Sequence, residues 1–395
     1  MPFAYPTEYV KEGAAEILIP KISYFTREKE SLANAPVFYN PVMRFNRDAA
    51  VLALRTYFSI LGEKFSVCEP MTGCGVRGVR LALEVDGVKK VFLNDLNPNA
   101  YELCLFNVIK NGVDDRTVVR NLDANLFLSR YSRPRKRFNV IDVDPFGSPV
   151  PYIDSAIRAL RNKGLLAVTA TDVASLCGVY PEACLRKYGK TLRTEYCHEI
   201  AIRLLIGYVA RTAAKYDIGI QVLFSHSTDH YIRAYAKIFN GAKLADKCIS
   251  KMGYILHCFN CLHREVSYGI VPSLKRNCSE CGAELDVAGP LWLGEFVDRE
   301  FCSKMLVELD NAKSVDRGRL TKLLNTILEE APGPQTYYVI SKACDKFNLR
   351  TPKKIDIMHA LHDMGYFVSE THFNLNGLRT NAPATVFKEI IAKLS

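Results

Sequence analysis

The sequence predicts an α/β fold: a Rossmann-like, doubly wound sheet that ends in an antiparallel hairpin, followed by a C-terminal α+β region. From Phe65 onward, short β-branched runs alternate with helical stretches of about 10–15 residues, which is typical of a mostly parallel sheet. Two further strands, near residues 220–239, are separated by the polar stretch HSTDH, which favours a hairpin. After Asn240, a region rich in Cys and Gly interrupts the periodic pattern before helices return.

The individual elements follow from these patterns. The predicted strands are Phe65–Glu69, Lys90–Asn94, Thr117–Asn121, Phe138–Val143, Leu165–Thr171, Ile220–Ser225 and Tyr231–Phe239. The predicted helices among them are Gly75–Val85, Pro98–Asn111, Pro151–Asn162 and Thr194–Tyr216. The C-terminal order resembles a winged helix: helix Tyr337–Phe347, helix Lys353–Met364, strand Tyr366–Thr371, turn Asn374–Gly377, strand and final helix.

Composition limits the functional classes. The chain has 395 residues, 48% of them hydrophobic, which is the balance of a soluble protein of two or three domains. Its net charge of +10 suits a polyanionic partner, although a basic protein without one is equally consistent. No run of about 18 apolar residues and no signal-peptide layout occur, so we expect a cytoplasmic protein that does not contact a membrane. We also expect the protein to be a monomer.

A glycine-rich turn joins the first predicted sheet strand to the helix after it. Gly73 and Gly75 allow a sharp turn and a close approach of the backbone to a ligand at the start of the helix. Such a turn also serves NAD enzymes, and a tight turn without a ligand is the simpler alternative. The antiparallel terminal hairpin favours the fold of methyltransferases that use S-adenosylmethionine (SAM), because dinucleotide dehydrogenases keep a parallel sheet.

Acidic residues end the next two strands. Asp95 lies 20 residues after Gly75, the spacing at which a carboxylate accepts both ribose hydroxyls. Asp123 can accept from an adenine amine, and Ala124 leaves room for the ring. Each acid alone could instead cap a helix. Because the carboxyl ends of parallel strands form the ligand-binding edge of such sheets, together they favour a nucleoside site.

Two arginines are candidates for the same site. Arg77 lies in the first turn of a helix, where the dipole disfavours a cation, so a bound carboxylate such as that of SAM would explain it. Arg47 precedes the helix that leads into the first sheet strand. From the residues alone, a surface arginine is the better interpretation of Arg47.

The fourth strand ends in Asp144-Pro145-Phe146-Gly147. An exocyclic amine of a nucleobase is a poor nucleophile, and an acceptor for its N–H frees the lone pair and can then take the proton. Asp144 suits that role, and Phe146 can stack on a base that has been flipped out. An ordinary turn is the alternative. Phe38, before Arg47, is a candidate for the other side of the base, with a core position equally consistent.

Two CxxC pairs, Cys258/Cys261 and Cys278/Cys281, are separated by 16 residues, a spacing typical of a zinc ribbon. Four thiolates give a closed site, so we predict a structural zinc. The remaining cysteines lack paired spacing and are predicted to be core or surface thiols. The pattern divides the chain into residues 1–241, the predicted catalytic domain, and 242–395, with the ribbon at 254–292.

Two basic clusters are candidates for phosphate contacts. Arg130 to Arg137 precedes the fourth strand, on the side away from the predicted site, and a solvated loop is an equal alternative. Arg186, Lys187, Lys190 and Arg193 follow the fifth strand, nearer the predicted site, and are the stronger candidates.

Together these motifs resemble the archaeal-like tRNA (guanine-N2)-dimethyltransferases that act at tRNA position 26. The resemblance spans nearly the whole chain and rests on EGAAEILIP, VFYNP with NRD, TGCGVRGVR, LNDLNP, DVDPFGSP, TATDVASLCG, LRTEYCHEI and GPLWLG. It implies a class I SAM-dependent methyltransferase that dimethylates guanine N2 in tRNA. It also implies a catalytic Asp144, base contacts from Phe38 and Phe146, and SAM contacts from Arg47, Arg77, Asp95, Asp123 and Ala124.

The resemblance therefore replaces the surface interpretation of Arg47. The prediction of zinc depends on the spacing of the cysteines more than on the resemblance, because some family members lack the cysteine pairs. Within the class, a monomethyl product or a second modified guanine stays open. An NAD-dependent dehydrogenase and a noncatalytic zinc-ribbon RNA-binding protein are alternatives from other classes. The antiparallel terminal hairpin argues against the dehydrogenase, and an RNA-binding protein without catalytic activity leaves Asp144 without a role.

Overall fold

The computed structural model describes residues 3–25 and 35–395. The chain forms two compact units, one comprising Met1–Pro145, Pro151–Val168 and Ser303–Lys322 (with the undescribed residues left aside), the other Phe146–Val150, Thr169–Cys302 and Leu323–Ser395. The boundary predicted after residue 241 lies inside the second unit. As a division of function, it stays a prediction.

Strands and helices alternate through the first half of the chain, as predicted. Through residue 170 the elements are β1 (Thr7–Glu12), β2 (Ala15–Pro20), α1 (Ile22–Phe25), α2 (Arg44–Leu61), β3 (Phe65–Glu69), α3 (Val76–Glu84), β4 (Val88–Asn94), α4 (Pro98–Lys110), β5 (Thr117–Arg120), α5 (Ala124–Ser129), β6 (Phe138–Val143), α6 (Val150–Ala159) and β7 (Leu160–Ala170).

The second half mixes smaller sheets with helices. Its elements are α7 (Val173–Leu176), α8 (Pro181–Lys187), α9 (Cys197–Ala214), β8 (Ile218–Thr228), β9 (Tyr231–Asn240), α10 (Ala242–Ile249), β10 (Met252–His257), β11 (Arg264–Tyr268), β12 (Asp286–Trp292), α11 (Arg299–Glu308), α12 (Arg317–Glu330), β13 (Tyr338–Val339), α13 (Ile340–Phe347), α14 (Lys354–Asp363), β14 (Val368–Thr371), β15 (Asn374–Thr380) and α15 (Ala384–Leu394).

The largest sheet has the strand order β5-β4-β3-β6-β7-β9-β8. Strand β3 is parallel to both β4 and β6, β6 is parallel to β7, and β8 pairs with β9 as an antiparallel hairpin. This confirms the predicted Rossmann-like sheet with its terminal hairpin. The chain crosses over in opposite directions from β3, so β3 and β6 flank the switch point where such sheets bind ligands.

Burial explains why the central strands were easy to recognise. All six residues of β6 are buried, as are four of the five in β3. Parallel strands covered by helices on both faces read as continuous apolar runs rather than alternating ones. The predicted limits of these two strands are therefore confirmed to the residue.

Several predicted boundaries are wrong for local reasons. Strand β7 begins at Leu160 rather than Leu165, because Leu160 pairs with Phe138 and the ladder then shifts before Leu165 pairs with Val140. The β8–β9 turn consists of residues 229–230 alone, since the rest of the predicted HSTDH loop extends β8.

In the C-terminal region, β15 includes the residues predicted as a turn, Asn374–Gly377, and the turn itself lies at residues 372–373. The helix predicted from Tyr337 begins at Ile340, because Tyr338 and Val339 pair with β15. The resulting three-stranded sheet has the order β13-β15-β14. A second three-stranded sheet, β11-β10-β12, occupies the cysteine-rich stretch.

A hairpin that was not predicted from the sequence lies at the N-terminus of the described chain. Strands β1 and β2 pair in register from Thr7 opposite Pro20 to Glu12 opposite Ala15. Gly13, with a φ of 58°, makes the turn, and an added Cβ there would lie 2.2 Å from a Glu84 carboxylate oxygen. The hairpin places the buried carboxylate of Glu12 beside α2 and α3, where it meets two arginines.

Candidate active site and metal centre

The glycine turn between β3 and α3 has the conformation that its glycines predict. Gly73 and Gly75 have φ values of 57° and 82°, in the left-handed region that favours glycine. A Cβ on Gly75 would lie 2.6 Å from the sulfur of Cys104, so the packing of α4 also requires a glycine there. The turn leads directly into the amino end of α3, where backbone N–H groups are available to a ligand.

Asp95 lies directly against this turn. Its carboxylate accepts a hydrogen bond of 2.8 Å from the Gly73 N–H and one of 3.0 Å from the Asn97 N–H. A carboxylate has about four acceptor positions, so this arrangement leaves two of them for a ligand's hydroxyls. The side chain is half-buried. The turn and the second strand therefore meet at one place, as the spacing predicted.

Asp123 caps a helix, which was the alternative to a ligand contact at this position. It caps the amino end of α5, where its carboxylate accepts from the Leu126 N–H at 2.9 Å. Its side chain is nevertheless exposed, and Ala124 beside it is buried. Capping occupies part of the acceptor capacity of the carboxylate and does not exclude a second contact with an adenine amine.

Arg77 is surrounded by acidic side chains. Its guanidinium forms a short ion pair with Asp144, lies 3.5 Å from both Glu69 and Asp142, and donates to Asn46 Oδ1 at 2.7 Å. The side chain is buried. Three carboxylates from β3 and the end of β6 thus explain a cation in the first turn of α3, where the dipole alone would disfavour it.

One of these acids, Glu69, is strongly affected by its surroundings. Burial raises the pKa of Glu69 to about 8, with Arg77 opposing the shift and Asp142 adding to it. Asp142 and Glu69 were missed in the sequence. The two-residue period of a strand places Asp142 on the same side as Asp144, and that signal was available.

Arg47 is not a surface residue: it is 5% exposed. Its guanidinium binds both carboxylate oxygens of Glu12, at 2.6 and 2.7 Å, and also donates to the Asn40 carbonyl. Tyr39 donates to the same carboxylate at 2.9 Å. Burial alone would raise the pKa of Glu12, but the hydrogen bonds and charges of Arg47 and Arg80 lower it to about 2. The surface interpretation of Arg47 is therefore wrong.

Phe38 belongs to a segment that crosses the glycine turn. A Cβ on Gly73 would lie 3.3 Å from the Phe38 carbonyl oxygen, and Asn97 donates to the Pro36 carbonyl at 2.7 Å. The Phe38 side chain is half-buried. The structure thus brings the region of Phe38 to the same edge of the sheet as Asp95.

The turn after β6 presents an aromatic ring to solvent. Phe146 is 65% exposed. The following residue, Gly147, has a φ of 73° and is fixed from both sides by Thr171. Its N–H donates to Thr171 Oγ1 at 2.7 Å, and its carbonyl accepts from the Thr171 N–H at 2.9 Å. The ring is therefore carried on a rigid turn.

A further hydrogen-bonded network, also missed in the sequence, extends from this turn. Ser148 and Tyr188 share a hydrogen bond of 2.7 Å, and the Tyr188 hydroxyl donates to Asp172 at 3.0 Å. Lys187 donates to the other oxygen of the same carboxylate at 3.1 Å. Within the predicted basic cluster, Lys187 therefore has a protein partner, while its other members, Arg186, Lys190 and Arg193, are exposed.

The four predicted zinc ligands come together at the ends of two matching turns. All four sulfurs lie within 4.8 Å of one another, with Cys258–Cys281 at 3.4 Å and Cys261–Cys278 at 3.6 Å. A tetrahedral zinc with bonds of about 2.3 Å holds its sulfurs about 3.8 Å apart. The four thiols thus fit a closed Cys₄ zinc site, where the metal would cross-link the two turns.

The two turns use different residues in the same conformation. Gly282 and Leu262 have φ values of 72° and 63°, and each donates its N–H to the carbonyl of the first cysteine of its pair, at 2.9 Å. Glycine adopts this conformation readily, whereas leucine adopts it only at a cost. Leu262 packs in the core formed by α13, α14 and α15, which offsets that cost and anchors the first turn.

The other predicted basic cluster lies mostly on the surface. Its exposed members are Arg130, Arg133, Arg135 and Lys136, whereas Arg137 is half-buried and donates to the Ser132 carbonyl.

None of the helices in the described part of the chain has both the length and the apolar character that a membrane span requires.

Comparison with known proteins gives a consistent result. A family model described as N2,N2-dimethylguanosine tRNA methyltransferase matches residues 13–392. A tRNA (guanine(26)-N(2))-dimethyltransferase from Methanothermobacter thermautotrophicus is 44% identical, over 98% of both chains. A tRNA (guanine(26)-N(2)/guanine(27)-N(2))-dimethyltransferase from Aquifex aeolicus is 36% identical, over 98% of this chain and 95% of that protein.

A solved structure extends the similarity to three dimensions. The complex of Trm1 from Pyrococcus horikoshii with S-adenosyl-L-methionine superimposes with a TM-score of 0.85 at 37% identity. The match covers 98% of this chain and all of that one. The fold is therefore similar over nearly the whole chain.

Proposed function

Because the chain belongs to the N2,N2-dimethylguanosine tRNA methyltransferase family, we propose that it transfers methyl groups from SAM to N2 of guanine 26 in tRNA. The product is N2,N2-dimethylguanosine, made in two steps. The observation that carries the proposal is the position of Asp144. It directly follows β6 at the switch point of the sheet and is held by Arg77 beside the glycine turn.

The residues around the glycine turn fit a nucleoside with a methionine moiety. We assign Asp95 to the ribose hydroxyls, Asp123 and Ala124 to the adenine, and Arg47 and Arg77 to the methionine carboxylate. When bound, SAM supplies an activated methyl group, so that transfer needs no metal. Both arginines already hold protein carboxylates, so a ligand carboxylate has to share them or displace a partner. For Arg77 such sharing is reasonable, because three acids surround one cation.

Asp144 is the catalytic residue in this proposal. Its carboxylate accepts a hydrogen bond from the guanine amine, which turns the nitrogen lone pair towards the methyl donor, and it then receives the proton. Pro145, which has no N–H, adds no competing donor. We assign Phe146, whose ring is exposed, and Phe38 to contacts with the flipped base.

Two successive transfers at one site follow from the chemistry of the amine. The amine carries two hydrogens, and after the first transfer one N–H remains for Asp144 to accept. The site around Phe146 has to tolerate one methyl group, and the 65% exposure of the ring is consistent with room beside it. The same carboxylate therefore serves both steps.

Binding of tRNA is assigned to the basic surfaces and to the C-terminal domain, residues 242–395. Arg186, Lys190 and Arg193 are exposed and follow β7, whose carboxyl end lies at the ligand-binding edge of the sheet. The zinc ribbon at 254–292 and the winged-helix-like region from β13 to α15 supply further contacts. Flipping a stacked base costs a few kcal/mol, and phosphate contacts offset that cost. We place this activity in the cytoplasm and assign it to a monomer.

Methylation of defined transcripts tests the proposal. The enzyme is incubated with SAM carrying a labelled methyl group and with one tRNA transcript that has guanine at position 26, or with its adenine-26 counterpart. Label is expected in the first transcript alone. Equal labelling of the second transcript would show that another base is the target, and no labelling of either would refute the proposed activity.

A further inference from the structure

A second cluster of potential metal ligands lies outside the zinc ribbon. The sulfurs of Cys177 and Cys197 and a ring nitrogen of His198 all lie within 4.8 Å of one another. Cys177 follows the short helix α7, while Cys197 and His198 are the first two residues of α9. Two thiols and an imidazole form the donor set that zinc prefers, and nothing in the proposed methyl transfer uses them.

The distances fit tetrahedral coordination. Cys177 Sγ lies 3.8 Å from His198 Nδ1, and Ser227 Oγ lies 3.3 Å from the same nitrogen. With zinc–sulfur bonds of about 2.3 Å and zinc–nitrogen or zinc–oxygen bonds of about 2.1 Å, a tetrahedral ion separates S and N by about 3.6 Å and N and O by about 3.4 Å. The side chains therefore lie where a single ion could bind them without a large rearrangement.

Burial agrees with this arrangement. Cys177 is 8% exposed, and Cys197 and His198 are half-buried. The three donor atoms therefore lie where little solvent competes with them for an ion.

We propose that Cys177, Cys197 and His198 form a second zinc site, separate from the Cys₄ site, with Ser227 Oγ or a water molecule as the fourth ligand. Two thiolates and a divalent cation sum to zero charge, which suits a site with little solvent. Zinc is selected over Mg²⁺ or Ca²⁺, because those ions require oxygen ligands.

The place of the site in the fold indicates a structural role. Cys177 is six residues after Thr171, which fixes Gly147 in the turn that carries Phe146. Asp172, in the same loop, holds Tyr188 and Lys187. A zinc ion would cross-link this loop to the start of α9 and to β8, and would therefore stiffen the support of the Phe146 turn.

Zinc analysis of the full-length wild-type protein provides the first test. We expect two zinc ions per chain, and an X-ray absorption spectrum that averages about three sulfur and one nitrogen or oxygen ligand per zinc. One zinc per chain with an all-sulfur shell would overturn the proposal. So would a peptide map of denatured, unreduced protein in which Cys177 and Cys197 are joined by a disulfide.

Variants assign the second ion. Cys197→Ser and His198→Ala are each expected to retain one zinc, now with a shell of four sulfurs. Cys184→Ser is the matched control, since Cys184 is a fully buried thiol of the neighbouring helix α8, and it is expected to retain two. Two zinc ions in both ligand variants would refute the assignment. If a variant fails to fold, the wild-type spectrum decides alone.

Discussion

Replacing Asp144 by asparagine removes the negative charge and the proton acceptor but keeps the shape of the side chain. A positioned acid–base group contributes about 10²–10⁴-fold to the rate, which corresponds to about 3–5 kcal/mol in the barrier. We expect a loss of this size in kcat for methyl transfer. The affinity for SAM should change little, because the predicted ribose and adenine contacts are made by Asp95 and Asp123.

The structure also predicts that this variant folds. Breaking a buried ion pair is costly when it leaves a charge without a partner. Here Arg77 keeps Glu69 and Asp142 at 3.5 Å, and the Asp144 side chain is 20% exposed. The free energy of unfolding should therefore fall by only about 1 kcal/mol, which thermal or denaturant unfolding can measure.

The matched control is Asp142→Asn, which removes a different carboxylate from the same arginine. Its activity should fall by less than about tenfold, because Asp142 lies inside β6 and not at its end. The assay is single-turnover methyl transfer to tRNA, with the dissociation constant of SAM measured by calorimetry. Wild-type turnover in Asp144→Asn would refute the mechanism. Equal large losses in both variants would show that the acids act through Arg77 and not by direct proton transfer.

Glu69 should make the stability of the protein depend on pH. Because burial raises the folded-state pKa of Glu69 to about 8, the folded protein binds more protons than the unfolded one between about pH 4.5 and 8, so the free energy of unfolding should fall as the pH rises through this range. Glu69→Gln should remove that decline in denaturant unfolding, and a pH profile equal to that of the wild type would contradict the prediction. Cys278→Ser should lose one zinc by elemental analysis and lower the melting temperature, since zinc binding contributes folding energy; unchanged zinc content would refute the Cys₄ site. Replacing Arg186 and Lys190 by alanine should weaken tRNA binding and flatten its salt dependence, by about one unit of slope for each lost phosphate contact; an unchanged slope would exclude this surface.

The sequence predicted the central sheet well because its strands are buried on both faces. Strands β3 and β6 were predicted to the residue, and the carboxyl ends of the strands gave the positions of Asp95 and Asp144. The two CxxC pairs likewise predicted the grouping of the four cysteines. These features depend on local patterns: apolar runs, glycine turns and fixed spacings.

Features that depend on distant partners were not predicted. Arg47 appeared to be a surface residue because its partner, Glu12, lies 35 positions away on a hairpin with no recognised pattern. Arg77 was expected to need a ligand anion, yet carboxyl groups of β3 and β6 and of Asp144 already surround it. Cys177 and Cys197 lack paired spacing, and only folding brings them together.

A buried ion-pair cluster also crosses the predicted domain boundary at residue 241. Arg379 binds both Glu199 of α9 and Glu330 of α12, and the three side chains are almost fully buried. A truncation that removes Arg379 would leave two buried carboxylates without this cation, at a cost of several kcal/mol. Point variants on the surface are therefore better tests of tRNA binding than deletion of the C-terminal region.

The central claim is that one site, with Asp144 as the acceptor, methylates the same guanine twice. Nucleoside mass spectrometry over a time course, with excess SAM and a tRNA transcript that has guanine at position 26, tests it most directly. We expect N2-methylguanosine to rise first and then fall as N2,N2-dimethylguanosine accumulates, both at position 26. A final product of monomethylguanosine alone, or single methyl groups on two different guanines, would contradict the claim.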